Sequence, residues 1–266
     1  MEPSAENEQP FVAPCKTLDF RAPLRWLALG WNDLKRAPRQ SIGYGLIMVM
    51  VSYLISFLTW RFGNLGLYLG LVSGFVFMGP WLALTLYAIS IRLERQEVVS
   101  LRASLQDARR QIGAAMVFAV ILTVVFLVWA RAATVIHVFF PESGERPSLM
   151  DLAPFLAVGS AVGAVFCAIV FSISAFSLPM LMERSVDTVT AIVTSVNAVL
   201  RNKPAMIVWA MIIGSCVVLG ALTAWLAFAI LLPVLGHATW HGYRETIDAS
   251  AWPIAREIGS NEPIEQ

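Results

Sequence analysis

The stretch MIVWAMIIGSCVVLGALTAWLAFAILLPVL, residues 206–235, contains no Asp, Glu, Lys, Arg or His. As one straight helix it would measure about 45 Å at 1.5 Å per residue, against a bilayer hydrocarbon core of about 30 Å. It predicts a membrane protein, with either two short passes folding back near Gly214 to Gly220 or one overlong pass.

The rest of the chain agrees with that class. Apolar stretches at 41–60, 65–91, 112–136 and 152–182 are each near or above the roughly 20 residues of a spanning helix, and Arg131 is the one charged residue in any of them. Arg131 lies close enough to the outer end of its stretch to snorkel. Hydrophobic residues make up 58% of the chain and charged ones 14%, too apolar for an ordinary soluble domain.

Charge sets the orientation. Lys16, Arg21, Arg25, Lys35, Arg36 and Arg39 form one basic segment, Arg92, Arg95, Arg102, Arg109 and Arg110 a second, and Arg184, Arg201 and Lys203 a third. The positive-inside rule places all three in the cytoplasm. The connections 61–64 and 137–151 carry only Arg61 and Arg146, so they are expected outside.

The basic segments share a pattern. Leu24, Leu27, Trp31 and Leu34, then Val98, Leu101, Leu105, Ala108 and Ile112, then Val186, Val189, Val193, Val196 and Leu200 fall at helical spacing. Each set precedes a membrane entry at Pro38, Gly113 or Pro204, residues suited to a turn from a leaflet-parallel helix into a spanning one. Pro80, Pro179 and Pro233 lie in the last turns of the returning runs, each followed by an Arg and a Glu.

The predicted fold is therefore all-α, a polytopic transmembrane helix bundle of about six spans with three amphipathic inner-leaflet helices. Three repeat-like units cover about 21–95, 96–183 and 184–245. Residues 1–20, which lack the features of a secretory signal, read as a disordered cytoplasmic tail. Residues 246–266 read as a polar C-terminal tail. Five spans with the C-terminus outside is the alternative.

Within a bilayer, helices associate where small residues let backbones approach. Gly66, Gly70 and Gly74 recur every fourth residue, and Gly159 and Gly163 repeat the spacing, so these are the expected packing faces. Trp60, Trp81, Trp129, Trp209, Trp225, Trp240 and Trp252 read as interfacial anchors and packing residues. Cys15, Cys167 and Cys216 are solitary and support neither a disulfide framework nor a redox motif.

No phosphate loop, dinucleotide fingerprint, nucleophile elbow or carboxylate pair is present, so no enzyme activity is expected. The basic segments suit anionic lipid better than nucleic acid. One motif stands out: GHATWHGYRE, 236–245, holds His237 and His241 four residues apart beside Trp240, Tyr243 and Arg244. Two imidazoles at that spacing can share a metal or haem iron but leave the site incomplete, so no cofactor is expected and haem or copper is the alternative. Ala238 stands where a zinc protease would carry its Glu. The simpler reading is an interfacial cluster in which Arg244 pairs with Glu245. In the six-span arrangement His137 lies on the far side from both; in the five-span one all three histidines share a side.

The segment from Val186 to Glu245, with VDTVTAIVTSVNAVLRNKPAMIVWA and the motif residues Gly236, His237, Trp240, His241, Tyr243 and Arg244, resembles a bacterial family catalogued as domain of unknown function 2189. The resemblance extends from about Leu24 to Glu245, and some family members are labelled putative cytochrome c oxidase subunits. It implies a multi-pass protein of the bacterial inner membrane with a cytoplasmic N-terminus and the lipid bilayer as its first partner. The expected function is a non-catalytic accessory or scaffold protein, with a respiratory complex or its assembly as the partner class. A small-solute transporter or channel is the alternative, and haem or copper binding through His237 and His241 a further one.

Overall fold

The structure, a computed structural model, describes residues 10–62, 80, 82–139 and 149–255. Within them the chain is helical: α1 Ala22–Arg36, α2 Pro38–Phe62, α3 over 82–94, α4 Leu101–Arg110, α5 Ile112–Phe139, α6 Leu149–Ser174, α7 Ser177–Glu183, α8 Thr188–Arg201, α9 Lys203–Leu222 and α10 Phe228–Thr246. Four segments are long and apolar enough to cross a bilayer: Pro38–Phe62, Ile112–Ile136, Leu152–Glu183 and Lys203–Leu222. The expected count of about six is not reached among the described residues. Much of the 65–91 stretch lies outside them, and α10 has an apolar run only from Phe228 to Leu235 before the polar motif begins.

The three short helices hand over to long ones through single residues. Ala37 separates α1 from α2, Gln111 separates α4 from α5, and Asn202 separates α8 from α9. Pro38 opens α2, Gly113 is the second residue of α5 and Pro204 the second of α9. A first-turn proline removes an N–H that has no intrahelical acceptor, so the long helix starts at no hydrogen-bonding cost. Capping fixes two of the short helices: Ser100 accepts from Ala103 N–H, and Asp187 accepts from Thr190 N–H. The hydrogen bonding with Thr190 holds the Asp187 carboxyl below the usual carboxylate range.

The faces these helices bury are not their most apolar ones. In α1 the buried residues are Ala22, Pro23, Trp26, Gly30, Asp33 and Leu34, while Leu24 and Trp31 are exposed. In α8 Thr188, Thr190, Thr194, Ser195 and Ala198 are buried and Val189 and Leu200 are exposed. Small hydroxyl side chains serve as ligands for backbone groups there. Ser195 Oγ accepts from Phe176 N–H and donates to Ser172 O, and Thr194 Oγ1 accepts from Ala13 N–H.

The core gathers where α1, α7, α9 and the end of α10 meet. Trp26 sits edge-on to Phe176 at 6.1 Å and to Trp209 at 5.7 Å. Phe118 near the start of α5, Met206 near the start of α9 and Trp240 and Tyr243 near the end of α10 belong to the same cluster. Trp209, Trp240 and Trp252 are therefore packing residues, whereas Trp60 at 81% exposure keeps the character of an anchor.

The described parts of both tails pack against the helices. Residues 10–18 form an extended strap: Lys16 N–H donates to Thr246 O, and Asn202 accepts from Leu18 N–H while donating to Lys16 O. Cys15 pairs with Ile247 in an antiparallel β-bridge, and burial pushes its thiol pKa up, away from reactive thiolate. After α10, Trp252 and Ala255 are buried, and Ala255 N–H donates to Glu183 O. Backbone groups of the strap find partners that a polar composition does not reveal. Replacing Asn202 by Ala removes three strap and helix-end hydrogen bonds and is expected to make residues near Lys16 the first site of limited proteolysis, with α-helical content retained in circular dichroism.

The fold-back of the third unit lies at Thr223 to Ala227, not at Gly214 to Gly220 as expected. Helix α9 runs unbroken through Gly214, because a glycine inside a hydrogen-bonded helix permits a turn without requiring one.

Candidate functional site

The motif on α10 is held by three other helices and by the α7–α8 connection. α1 runs antiparallel to the C-terminal half of α10, and a Cβ built on Gly30 would lie 2.6 Å from both Ala238 N and Val234 O. The two helices touch backbone to backbone there, which only glycine permits. Gly45 of α2 makes the same kind of approach to Ala229, while Gly236 packs on Leu86 of α3 and Gly242 on Trp26.

This contact brings polar groups into an enclosed chain. Ser41 Oγ and His237 Nε2 are 2.9 Å apart, His237 Nδ1 and Ser90 Oγ 2.8 Å, Ser90 Oγ and Asp33 Oδ2 2.9 Å, and His241 Nε2 and Asp33 Oδ2 2.9 Å. The donors follow from proton counting. Ser90 has one hydroxyl proton and gives it to the Asp33 carboxylate, so His237 Nδ1–H donates to Ser90 Oγ. In a neutral imidazole the other nitrogen accepts, and Ser41 supplies that proton. His241 Nε2–H donates to the same Asp33 oxygen. Asp33, Ser41, Ser90 and His237 are all buried, and His241 is partly exposed.

A second set of bonds ties the helix ends. Glu183 accepts from Tyr243 OH at 2.6 Å, from Arg244 Nη1 at 2.6 Å and from Arg184 Nε at 3.2 Å. Arg244 Nη2 also donates to Glu94, whose other oxygen accepts from Trp240 Nε1 at 3.1 Å. Glu245 accepts from Arg25 at 2.5 Å and from Trp26 Nε1 at 2.7 Å. The expected pairing of Arg244 with Glu245 is thus replaced by contacts across the bundle, since neighbouring residues on a helix do not face each other.

The site therefore contains residues that the motif alone did not name: Asp33, Ser41, Ser90, Glu94 and Glu183. The available signal was their type and place. Asp33 stands within the basic first segment, and Glu94 and Glu183 belong to the Arg and Glu exits of the first two units.

His237 and His241 lie on one side of α10, but both His237 nitrogens and His241 Nε2 already serve hydroxyl and carboxylate partners. Among the described residues no three His, Cys, Asp or Glu side chains gather as a metal site. His137 is in the last turns of α5, about 28 Å along the helix from Phe118, which packs in the same core as Trp240. The third histidine is therefore at the other end of the bundle.

Of the expected packing glycines, Gly66, Gly70 and Gly74 lie outside the described residues. Gly159 and Gly163 face open space, with nothing among the described residues within 4 Å of a Cβ at either. Among the described residues the backbone-to-backbone approaches are made at Gly30 and Gly45.

Apolar helices of bilayer length, closed at one end by a self-satisfied polar clamp, define a polytopic integral membrane protein. Residues 67–183 match the model of the family described as Predicted integral membrane protein (DUF2189), and over that segment the chain is similar to it. The match ends before GHATWH, so the motif that carried the resemblance lies beyond it. No curated protein and no solved structure matches the chain.

Proposed function

We propose that this is a non-catalytic accessory or scaffold protein of a bacterial inner membrane, with both termini in the cytoplasm and a membrane complex as its partner, a respiratory complex or its assembly being the first class to test. The observation that supports this reading is a contrast within one chain. The polar site is closed on itself, while among the described residues the apolar windows of the spanning segments are mostly not buried. None of the residues in the most apolar window of Leu152–Glu183 is buried, and the open Gly159 and Gly163 lie on that segment.

The orientation rests on where helix ends meet. Ser41 at the start of α2, Ser90 near the end of α3 and His237 of α10 share one hydrogen-bonded chain. The exit residues Glu94, Glu183 and Arg244 meet in one ion-pair group. Cys15 and Ile247 bridge the two tails. These contacts favour three hairpins that leave from and return to one leaflet, an even number of passes, over five spans. The exposed Leu24 and Trp31 of α1 and Val189 and Leu200 of α8 then face acyl chains, with Arg21, Lys35 and Arg201 at the headgroups.

The test is mild-detergent extraction of the tagged chain from its native membrane, with and without Gly159→Leu. The expected result is one membrane partner in fixed ratio, lost in the variant while the chain itself remains folded. Recovery of the chain alone from both preparations contradicts the scaffold reading.

A further inference from the structure

The turn between α9 and α10 has unusual chemistry. LTAWLAF, residues 222–228, contains none of the Gly, Pro, Asn, Asp or Ser residues that form ordinary water-exposed turns. Ala224 and Trp225 adopt left-handed backbone conformations, φ 47° and 68°, in a place where glycine would be unstrained. Leu222, Trp225 and Leu226 are exposed at its tip.

Every backbone group from Thr223 to Ala227 is satisfied by the protein. Thr223 N–H donates to Leu219 O, Ala224 N–H to Ala221 O, Trp225 N–H to Gly220 O, Leu226 N–H to Thr223 O, and Ala227 N–H to Thr223 Oγ1. The carbonyls of Thr223, Trp225, Leu226 and Ala227 accept from the turn and first residues of α10. The remaining one, Ala224 O, accepts from Tyr53 OH of α2 at 2.5 Å. A turn in water leaves such groups to solvent, whereas backbone at membrane depth must be satisfied internally.

Tyr53 also gives the depth. Helix α2 continues past it to Trp60 and Arg61, about 12 Å further along the axis. A Trp and Arg pair at a helix end marks the water interface. We propose that α9 and α10 form a re-entrant hairpin whose tip, Thr223 to Ala227, contacts acyl chains within the outer half of the bilayer and does not emerge on the outer side. The partner of Leu222, Trp225 and Leu226 is lipid. This refines the third hairpin of the orientation given above and rests on it, because a tip short of the far face returns α10 to the leaflet it left.

Single cysteines in the otherwise cysteine-free full-length chain test it, using a membrane-impermeant maleimide on intact cells and on inverted vesicles. Arg61→Cys reports the orientation and Leu226→Cys the tip. The expected result is outside labelling of Arg61→Cys and labelling of Leu226→Cys only after detergent. Outside labelling of Leu226→Cys at the rate of Arg61→Cys overturns the proposal. Cytoplasmic labelling of Arg61→Cys overturns the orientation, and a Leu226→Cys still shielded from both sides then leaves the embedded tip standing. Tyr53→Phe supplies a second readout in lipid nanodiscs: a lowered thermal midpoint is expected, since no water replaces the lost donor to Ala224 O, and an unchanged midpoint counts against a dry turn.

Discussion

Gly30→Leu is expected to separate α1 from α10 and to lower stability by about 3 kcal/mol, the upper range for overpacking a close contact. The added Cβ would meet backbone atoms of Val234 and Ala238 at 2.6 Å, and backbone cannot yield by changing rotamer as a side chain can. Separation here also draws Asp33 away from His241 and Ser90, so the packing defect and the polar defect add. A sharp fall in the detergent melting midpoint checks this, with Gly159→Leu as the internal comparison. Among the described residues nothing lies within 4 Å of a Cβ at Gly159, so that variant should melt with the parent. Equal midpoints for Gly30→Leu and the parent would mean that α1 does not dock on α10 as described.

Glu183→Gln has the second largest expected effect. The substitution keeps the side chain's shape and removes the charge that two arginines and Tyr243 share. Breaking a buried ion pair costs about 3–5 kcal/mol where the remaining charge is stranded in the interior. Arg244 is 41% exposed and reaches Glu94 as well, so water and a second carboxylate soften the loss, and about 2 kcal/mol is the expected figure. Arg25→Gln at the exposed pair with Glu245 gives the contrast, with little change in midpoint expected. If both variants melt alike, Glu183 does not tie α7 to α10.

The features read correctly from sequence were those with a local physical cause. Pro38, Gly113 and Pro204 lie within two residues of the start of a long helix because each acts on its own turn of backbone. Other features depended on partners distant in the chain. Asp33 and His241 are 208 residues apart and His237 and Ser41 196, and no local pattern connects them. The glycines show the same limit. Regular spacing drew attention to Gly159 and Gly163, yet contact is made at the isolated Gly30 and Gly45, because two crossing helices need only one small residue at the point of closest approach. The α9–α10 turn was hidden for a third reason: its stop comes from Thr223 Oγ1 and Tyr53 OH, side chains that are unremarkable in composition.

These particulars suggest what the clamp is for. Glu94 and Glu183 both bind Arg244 across the bundle, Arg184 pairs with its neighbour Glu183, and the two tails bridge nearby, to each other at Cys15–Ile247 and from the C-terminal tail to α7 at Arg184–Ile254. A joint of this kind fixes the relative positions of the membrane segments at one end and leaves their lengths free to meet lipid or a neighbour. The histidines belong to the same joint, hydrogen-bonded to Asp33 and Ser90 between α1, α3 and α10.

The most direct test of the account is the location of the two ends of the chain, measured with paired reporters active only in the cytoplasm or only outside, fused in turn before Met1 and after Gln266. A cytoplasmic signal from both fusions is the predicted result: the Cys15 to Ile247 bridge puts the two tails on one side, and the basic segments select the cytoplasm. Signals from opposite sides of the membrane would contradict the shared-leaflet arrangement from which the rest follows.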